Sequence, residues 1–185
     1  LCATIQKVTD AEETVIFEKW LVPDTVLEDF TKLTPEAVRT MGARIILSDI
    51  DNTVATYDDP TPPQRVLQWL EDMRLGGVEV AFVSNNNAER VEEFCRGLDC
   101  IHIAKAGKPK TRALKAALAA AGAERSEAIL LGDQLLTDCA AGKRLGIPTV
   151  IVPPIKDKKT LFFRFKRLLE IPYMKKYARL HADGK

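Results

Sequence analysis

Residues 45–53 read Ile-Ile-Leu-Ser-Asp-Ile-Asp-Asn-Thr, an apolar run that closes on two aspartates one residue apart, Asp49 and Asp51. A buried strand ending this way places carboxylates at the carboxyl edge of a sheet, where open α/β sheets bind ligands. Carboxylates held so close repel each other, which favours a bound cation or a shared proton. The pair predicts phosphate chemistry on a magnesium ion.

Three further apolar runs end in polar residues. Val80-Ala81-Phe82-Val83 leads into Ser84-Asn85-Asn86-Asn87, and a run at 100–104 is followed by Lys105 and Gly107-Lys108-Pro109. Ile129-Leu130-Leu131 leads into Gly132-Asp133, with Asp138 five residues later. In a parallel sheet all of these meet at one end.

The elements that must position them alternate from residue 45 onward. Strands are expected at 44–48, 78–83, 100–104, 128–131 and 149–152. Between them the pattern predicts helices at 64–74, around 89–96, at 111–121 and at 137–145. Val66, Leu67, Leu70 and Met73 mark the buried stripe of the first. Such alternation implies an α/β fold, a Rossmann-like parallel sheet with helices on both faces. Ahead of it, residues 21–44 read as a helical lead-in. Thr34-Pro35-Glu36 is a helix start with a capping hydroxyl and proline at the first position, and Gly42 is the stop. Residues 1–20 show no clear period.

The chain has 185 residues, enough for one domain with a substantial core. Its longest apolar runs fall well short of the roughly 18–20 residues of a membrane span, and no secretory signal is visible. Only two histidines are present, His102 and His181, which argues against a histidine triad. Cys2, Cys95, Cys100 and Cys139 show neither CxxC nor a familiar Cys/His metal spacing, so reduced structural thiols and a cytoplasmic setting are expected. His102, Trp20, Trp69 and the Phe162–Phe165 cluster read as packing residues. The net charge of +1 hides an asymmetry: residues 156–185 carry ten Lys/Arg against three Asp/Glu. An acidic body with a basic tail suggests that the tail meets something anionic.

The order Asp-x-Asp, Ser, Lys, Gly-Asp-x-x-x-x-Asp resembles the haloacid dehalogenase (HAD) superfamily in its phosphatase form. Leu21-Val22-Pro23-Asp24, Val83-Ser84-Asn85-Asn86-Asn87 and Gly132-Asp133-Gln134-Leu135-Leu136-Thr137-Asp138 are similar to the YqeG-type branch, which is related to mitochondrial phosphatidylglycerophosphatases. The resemblance covers roughly residues 21–170 and implies a Mg²⁺-dependent phosphomonoester hydrolase working through an aspartyl-phosphate. It makes Asp49 the nucleophile and Asp51 the acid and later the base, with Ser84 and Lys108 completing the catalytic set. Lys105 competes for the lysine role, but the proline after Lys108 matches the family motif. Asn52, Thr53, Ser84, Asn85 and Lys108 would bind the substrate phosphate. Asp49, Asp133 and the main-chain carbonyl of Asp51 would hold Mg²⁺, with Asp138 as an indirect ligand.

From Asp51 to Ser84 is 33 positions and from Ser84 to Lys108 is 24, room for single strands and helices but not for an inserted cap. An open site suits a bulky substrate or a phosphate presented on a surface. The expected division is an extension at 1–20, a phosphatase domain at 21–155 and a basic amphipathic segment at 156–185. In that segment Lys156, Lys158, Lys159, Arg164, Lys166 and Arg167 surround Leu161, Phe162, Phe163, Phe165, Leu168 and Leu169. Such a segment fits an interfacial helix at the inner membrane face, or one packed on the core with its lysines solvated. The leading expectation is dephosphorylation of phosphatidylglycerophosphate, an anionic phospholipid. Rival readings are a phosphatase for a soluble sugar or nucleotide phosphate, and a non-catalytic binding module. The motif order rules out a receiver domain, and no nucleic-acid signature is present.

Overall fold

A computed structural model describes residues 19–156 and 161–182, with side chains in the second stretch from 168 to 181. Ile45–Ser48 forms strand β2, with all four residues buried. A strand so enclosed needs neighbours on both edges, and it pairs in parallel with β3 (Glu79–Val83) on one side and β5 (Ala128–Gly132) on the other. With β1 (Thr25–Val26), β4 (His102–Ile103) and β6 (Thr149–Ile151) the sheet runs β1-β6-β5-β2-β3-β4, parallel throughout.

Alternate residues of these strands feed two apolar layers. Ile46, Phe82, Ile129 and Val150 pack with Val38, Trp69 and Phe94, from helices α1 (Pro35–Thr40), α2 (Gln64–Leu75) and α3 (Ala88–Phe94). Ile45, Leu47, Ala81 and Leu130 pack with Leu114, Leu118 and Leu145, from α4 (Arg112–Ala120) and α5 (Ala140–Leu145). Helices therefore cover both faces. Between Asp51 and Ser84 lie one loop, α2 and β3; between Ser84 and Lys108 lie α3 and β4. No cap is inserted.

Several expectations change. The lead-in is helical only in part, because Thr25 and Val26 pair with Val150 and Ile151 as an edge strand. Asp24 anchors it: its Oδ2 accepts from the Thr149 amide at 2.7 Å and hydroxyl at 2.9 Å, and Lys143 pairs with its Oδ1 at 2.5 Å. The helix start is as expected, with Thr34 Oγ1 accepting from the Ala37 amide at 3.2 Å. In α2 the buried stripe is Val66, Trp69 and Met73, while Leu67 is exposed. Trp69 takes the inward position because its Nε1–H donates to Leu33 O at 2.9 Å and its ring meets Phe30 edge-on. The strand expected at 100–104 shortens to two residues. The helix expected at 137–145 begins instead as a π-helical turn, Leu135–Cys139, that hands over to α5.

The basic segment forms one long helix, α6 (Leu161–Ala182), with Pro172 inside it. Its middle packs on the body. Glu170 is buried and accepts from the Leu135 amide at 2.8 Å, and the Tyr177 hydroxyl accepts from the Val26 amide at 3.0 Å. Tyr173 and Met174 rest on Leu21, Leu135, Cys139 and Ile151. Leu168, Leu169, Ile171 and Leu180 stay exposed. Residues 1–18, Lys158 and Lys159, and the side chains of Phe162, Phe163, Arg164, Phe165, Lys166 and Arg167 lie outside the described residues. Among the described residues no helix is long and apolar enough to cross a membrane.

Candidate active site

The chain runs from β2 to β3 and β4 on one side, then returns to β5 on the opposite side of β2. The carboxyl end of β2 is therefore the point where strand order reverses, and a crevice opens there. Asp49 follows β2 directly, fixed by its amide bond to Leu131 O at 2.9 Å. Asp133 follows β5, Ser84 follows β3, and Lys108 comes from the loop after β4. The sequence signals thus meet at one sheet edge, where Asp49, Asp51, Ser84, Lys108 and Asp138 line a cleft of about 380 Å³.

Lys108 lies at its centre. The ammonium is buried, 2.8 Å from Asp49 Oδ1 and 2.7 Å from Asp138 Oδ1. The second contact is an ion pair without hydrogen-bond direction, and Asp138 Oδ1 has no aligned donor. Asp138 Oδ2 accepts from the Gln134 amide and the Thr137 hydroxyl, both at 3.2 Å. Lys105 by contrast is exposed and adopts a left-handed backbone with φ of 49°. The Lys108 backbone is gripped by Asn85, whose Oδ1 accepts from its amide at 2.7 Å and whose Nδ2 donates to its carbonyl at 3.1 Å. Asn85 thus spends its side chain positioning the lysine loop.

Asp51 is turned to a different set of partners. Arg90 of α3 donates to its Oδ1 from Nη2 at 3.0 Å and Nε at 3.2 Å, and Asn86 Nδ2 donates to its Oδ2 at 3.0 Å. Ser84 is buried, and its Oγ accepts from the Asn86 amide at 3.1 Å. Asn52 has a φ of 67°, a conformation that asparagine tolerates better than most residues, and its buried Oδ1 has no partner. Thr53 is fully buried, its Oγ1 3.5 Å from Asp133 Oδ1.

Gly132 has a steric reason to be glycine. A Cβ there would fall 2.4 Å from both Cβ and Cγ of Asp138, so a hydrogen at this position is what lets Asp138 approach the end of β5.

The electrostatics follow from burial. Burial pushes the Asp49 carboxyl up to about 6; Lys108 opposes this, while the charges of Asp138 and Asp51 add to it. Burial alone would lower the Lys108 ammonium, but Asp138 and Asp49 more than offset that and hold it above the ordinary lysine range. The Tyr57 phenol, on the cleft wall, is pushed up by burial and then by the surrounding aspartates.

Carboxylate oxygens of Asp49, Asp133 and Asp138 lie within 4.8 Å of one another, all three residues buried. Hard oxygen donors at that spacing suit a small dication such as Mg²⁺. The charges agree: four buried aspartates face one buried cation, Lys108, and the partly buried Arg90. With Asp138 Oδ1 lacking an aligned donor, the residues fit a metal ion.

Two participants escaped the sequence reading. Arg90 reaches Asp51 from one turn into α3, where an arginine on a helix gives no signal. Glu170, from the basic tail, holds the turn that carries Asp138; as one of three acids among ten cations it gives no local signal.

The geometry agrees with what the chain is similar to. A family profile described as HAD-hydrolase-like matches residues 105–158. A Bacillus subtilis (strain 168) protein named "Probable phosphatase YqeG" is 34% identical over 155 residues, covering 84% of this chain and 90% of the relative. The phosphoglycolate phosphatase of Caulobacter vibrioides is 27% identical over 104 residues, 51% of this chain and 44% of that protein. No solved structure matches the chain. Identity at that level along nine-tenths of the Bacillus protein, together with the strand-end aspartates, makes the chain a member of the HAD superfamily and a phosphatase of the YqeG type.

Proposed function

We propose that the chain is a Mg²⁺-dependent phosphomonoesterase that works through an aspartyl-phosphate on Asp49 and acts on phosphatidylglycerophosphate. The observation that carries the chemistry is the cluster of Asp49, Asp133 and Asp138 around Lys108, opening onto an uncapped cleft. Asp49, Asp133 and Asp138, with the main-chain carbonyl of Asp51, would hold the metal. Bound there, Mg²⁺ screens the repulsion between a carboxylate and a phosphate dianion.

An ionised Asp49 oxygen attacks phosphorus while the ester bond breaks. Asp51 gives its proton to the departing alkoxide, leaving an acyl phosphate on Asp49. Asp51 then takes a proton from water as that water attacks phosphorus, releasing phosphate and restoring Asp49. Lys108, Ser84 and the main-chain amide of Asn85 would neutralise charge on the transferring oxygens. Asn52 and Thr53 would hold the turn beneath the phosphate, and Asn85 would act through Lys108.

The lipid assignment rests on the family branch, the open cleft and a second feature beside it. An apolar groove of about 650 Å³ runs past Asp133 between the ends of β1 and β6 and helix α6, with Leu27, Val152, Pro153 and Met174 in its walls. That is the chemistry an acyl chain would need, and the exposed Leu168, Leu169 and Ile171 of α6 would face the same membrane surface. Peripheral binding to anionic lipid through 156–185 belongs to this reading.

The test is phosphate release from phosphatidylglycerophosphate in detergent micelles with and without Mg²⁺, with Asp49→Asn as control. Mg²⁺-dependent release lost in the variant supports the whole proposal. Hydrolysis of an aryl phosphate without lipid turnover would reject the lipid and redirect the search to small soluble esters, of which the Caulobacter relative's named substrate is one.

A further inference from the structure

On the far flank of the sheet, the end of α3 and the start of β4 bring three ligand-type side chains together. Cys95, Cys100 and His102 each offer one atom, and these lie within 4.8 Å of one another. The backbone makes this possible. Cys95 caps α3 through its amide bond to Val91 O at 2.9 Å, and the Leu98 amide returns to Cys95 O at 3.0 Å. The tight turn brings Cys100 back beside Cys95, and β4 carries His102 at the sheet edge, paired with Phe82. The cluster grades from core to solvent: Cys95 is buried, Cys100 partly so, and His102 exposed. Both thiols are free.

A buried cysteine alone is an ordinary small apolar residue. Cys100 packs on the same apolar layer as Cys95, but packing gives no reason for an exposed imidazole to join the two thiols. His102 Nδ1 lies 3.2 Å from Cys100 O; a proton donated there leaves the lone pair on Nε2, the usual way a backbone carbonyl prepares an imidazole for a metal. Two thiols and an imidazole form a soft donor set, unlike the all-oxygen aspartate cluster.

We propose that Cys95, Cys100 and His102 form a second metal site, selective for a soft divalent cation of the zinc class, with a solvent molecule in the fourth position. In a tetrahedral zinc site, thiolate and imidazole donors sit roughly 3.5–3.8 Å apart, given bond lengths of about 2.0–2.3 Å. Small side-chain rotations from the observed spacing reach that. Binding expels the two thiol protons to solvent and involves no oxidation. The ion would clamp the two-residue strand β4 to the end of α3. That matters because β4 sets the loops on either side of it: the Ser84 amide bonds Ile103 O at 3.0 Å, and the Ala106 amide bonds Ser84 O at 2.9 Å.

The test uses the full chain, reduced and stripped of metal, titrated with Co²⁺. Cobalt on thiolate gives an intense ligand-to-metal charge-transfer band and the visible bands of tetrahedral cobalt, whereas cobalt among the aspartates gives no thiolate band. The expected result is a band that saturates at one equivalent and is displaced by Zn²⁺. It should be absent in Cys100→Ser, and in the exposed variant His102→Ala the affinity should fall by more than the roughly 10–100-fold cost of losing an outer partner. A reduced chain that gives no charge-transfer band overturns the proposal. So does a band that survives Cys100→Ser, or one whose affinity is unchanged in His102→Ala. Loss of phosphatase activity has no bearing on any of these readings.

Discussion

Replacing Arg90 by methionine removes a guanidinium that makes two hydrogen bonds to Asp51, at 3.0 and 3.2 Å, between side chains only 12% and 5% exposed. Hydrogen bonds to a charged group contribute about 1.5–3 kcal/mol, and breaking a fully buried pair costs about 3–5. Arg90 also donates to Thr56 O at 3.1 Å and Pro60 O at 3.3 Å and lies over Phe94 at 5.1 Å, so the single substitution loses more than the pair. The expected total is about 2–4 kcal/mol, or roughly 4–16 °C in Tm for a chain of this length. A double-mutant cycle with Asp51→Asn removes the contacts to Thr56, Pro60 and Phe94 from the account. Urea unfolding followed by circular dichroism, with EDTA present, should give a coupling of about 1.5–3 kcal/mol at unchanged m-value. A coupling below about 0.5 kcal/mol, the scatter of independent sites, would refute the view that Arg90 positions Asp51.

Gly132→Ala forces a methyl group against Asp138 and should cost about 1–3 kcal/mol of overpacking, while weakening the thermal stabilisation by Mg²⁺. Wild-type values of both in a melting experiment would contradict the close approach. Asp49 gives a pH prediction. Its carboxyl is held up to about 6, so one unit lower only about a tenth of it is ionised, and Mg²⁺ affinity at pH 5 should be roughly tenfold below that at pH 7. In the metal-free chain the sign reverses: the folded state holds this proton more tightly than the unfolded one, so the contribution is full below the ordinary value of 3.8 and is lost as pH rises through about 6. Calorimetric titration at the two pH values decides it, and flat affinity would exclude Asp49 as a titrating ligand. Glu170→Ala leaves the buried Leu135 amide without its acceptor, at a cost of about 1–3 kcal/mol. Hydrogen exchange at that amide should accelerate, and an unchanged rate would deny the contact its role.

The strand ends were legible because each signal is local: an apolar run, then a polar cluster, with the sheet's parallel order aligning them. Asp49, Ser84, Lys108 and Asp133 need nothing more to meet. What stayed hidden depends on contacts between distant segments. β1 is only two residues long and exists because Asp24 and Thr149, 125 positions apart, clasp each other. The inward position of Trp69 rather than Leu67 is set by a carbonyl on another element, Leu33 O. The triad of Cys95, Cys100 and His102 matches no familiar spacing, because the turn between α3 and β4 creates it, not a metal-loop motif.

The division between an acidic body and a basic tail dissolves at Leu135. The π-helical turn Leu135–Cys139 carries Asp138, whose Oδ1 sits 2.7 Å from Lys108. That turn's first amide is held by Glu170 of α6, and the same helix reaches Val26 of β1 through Tyr177. A π-helical turn is rare and frequently found at functional sites, and its first amide, which has no partner within the turn, takes an external acceptor in Glu170. The basic segment therefore does two things at once. Its middle buttresses the loop that places Asp138 with Asp49 and Asp133, while Leu168, Leu169 and Ile171 are left for solvent or a surface. Any partner that engages α6 would act on the position of Asp138 through a chain of three contacts: Glu170 to Leu135, Leu135 to its turn, and Asp138 to Lys108.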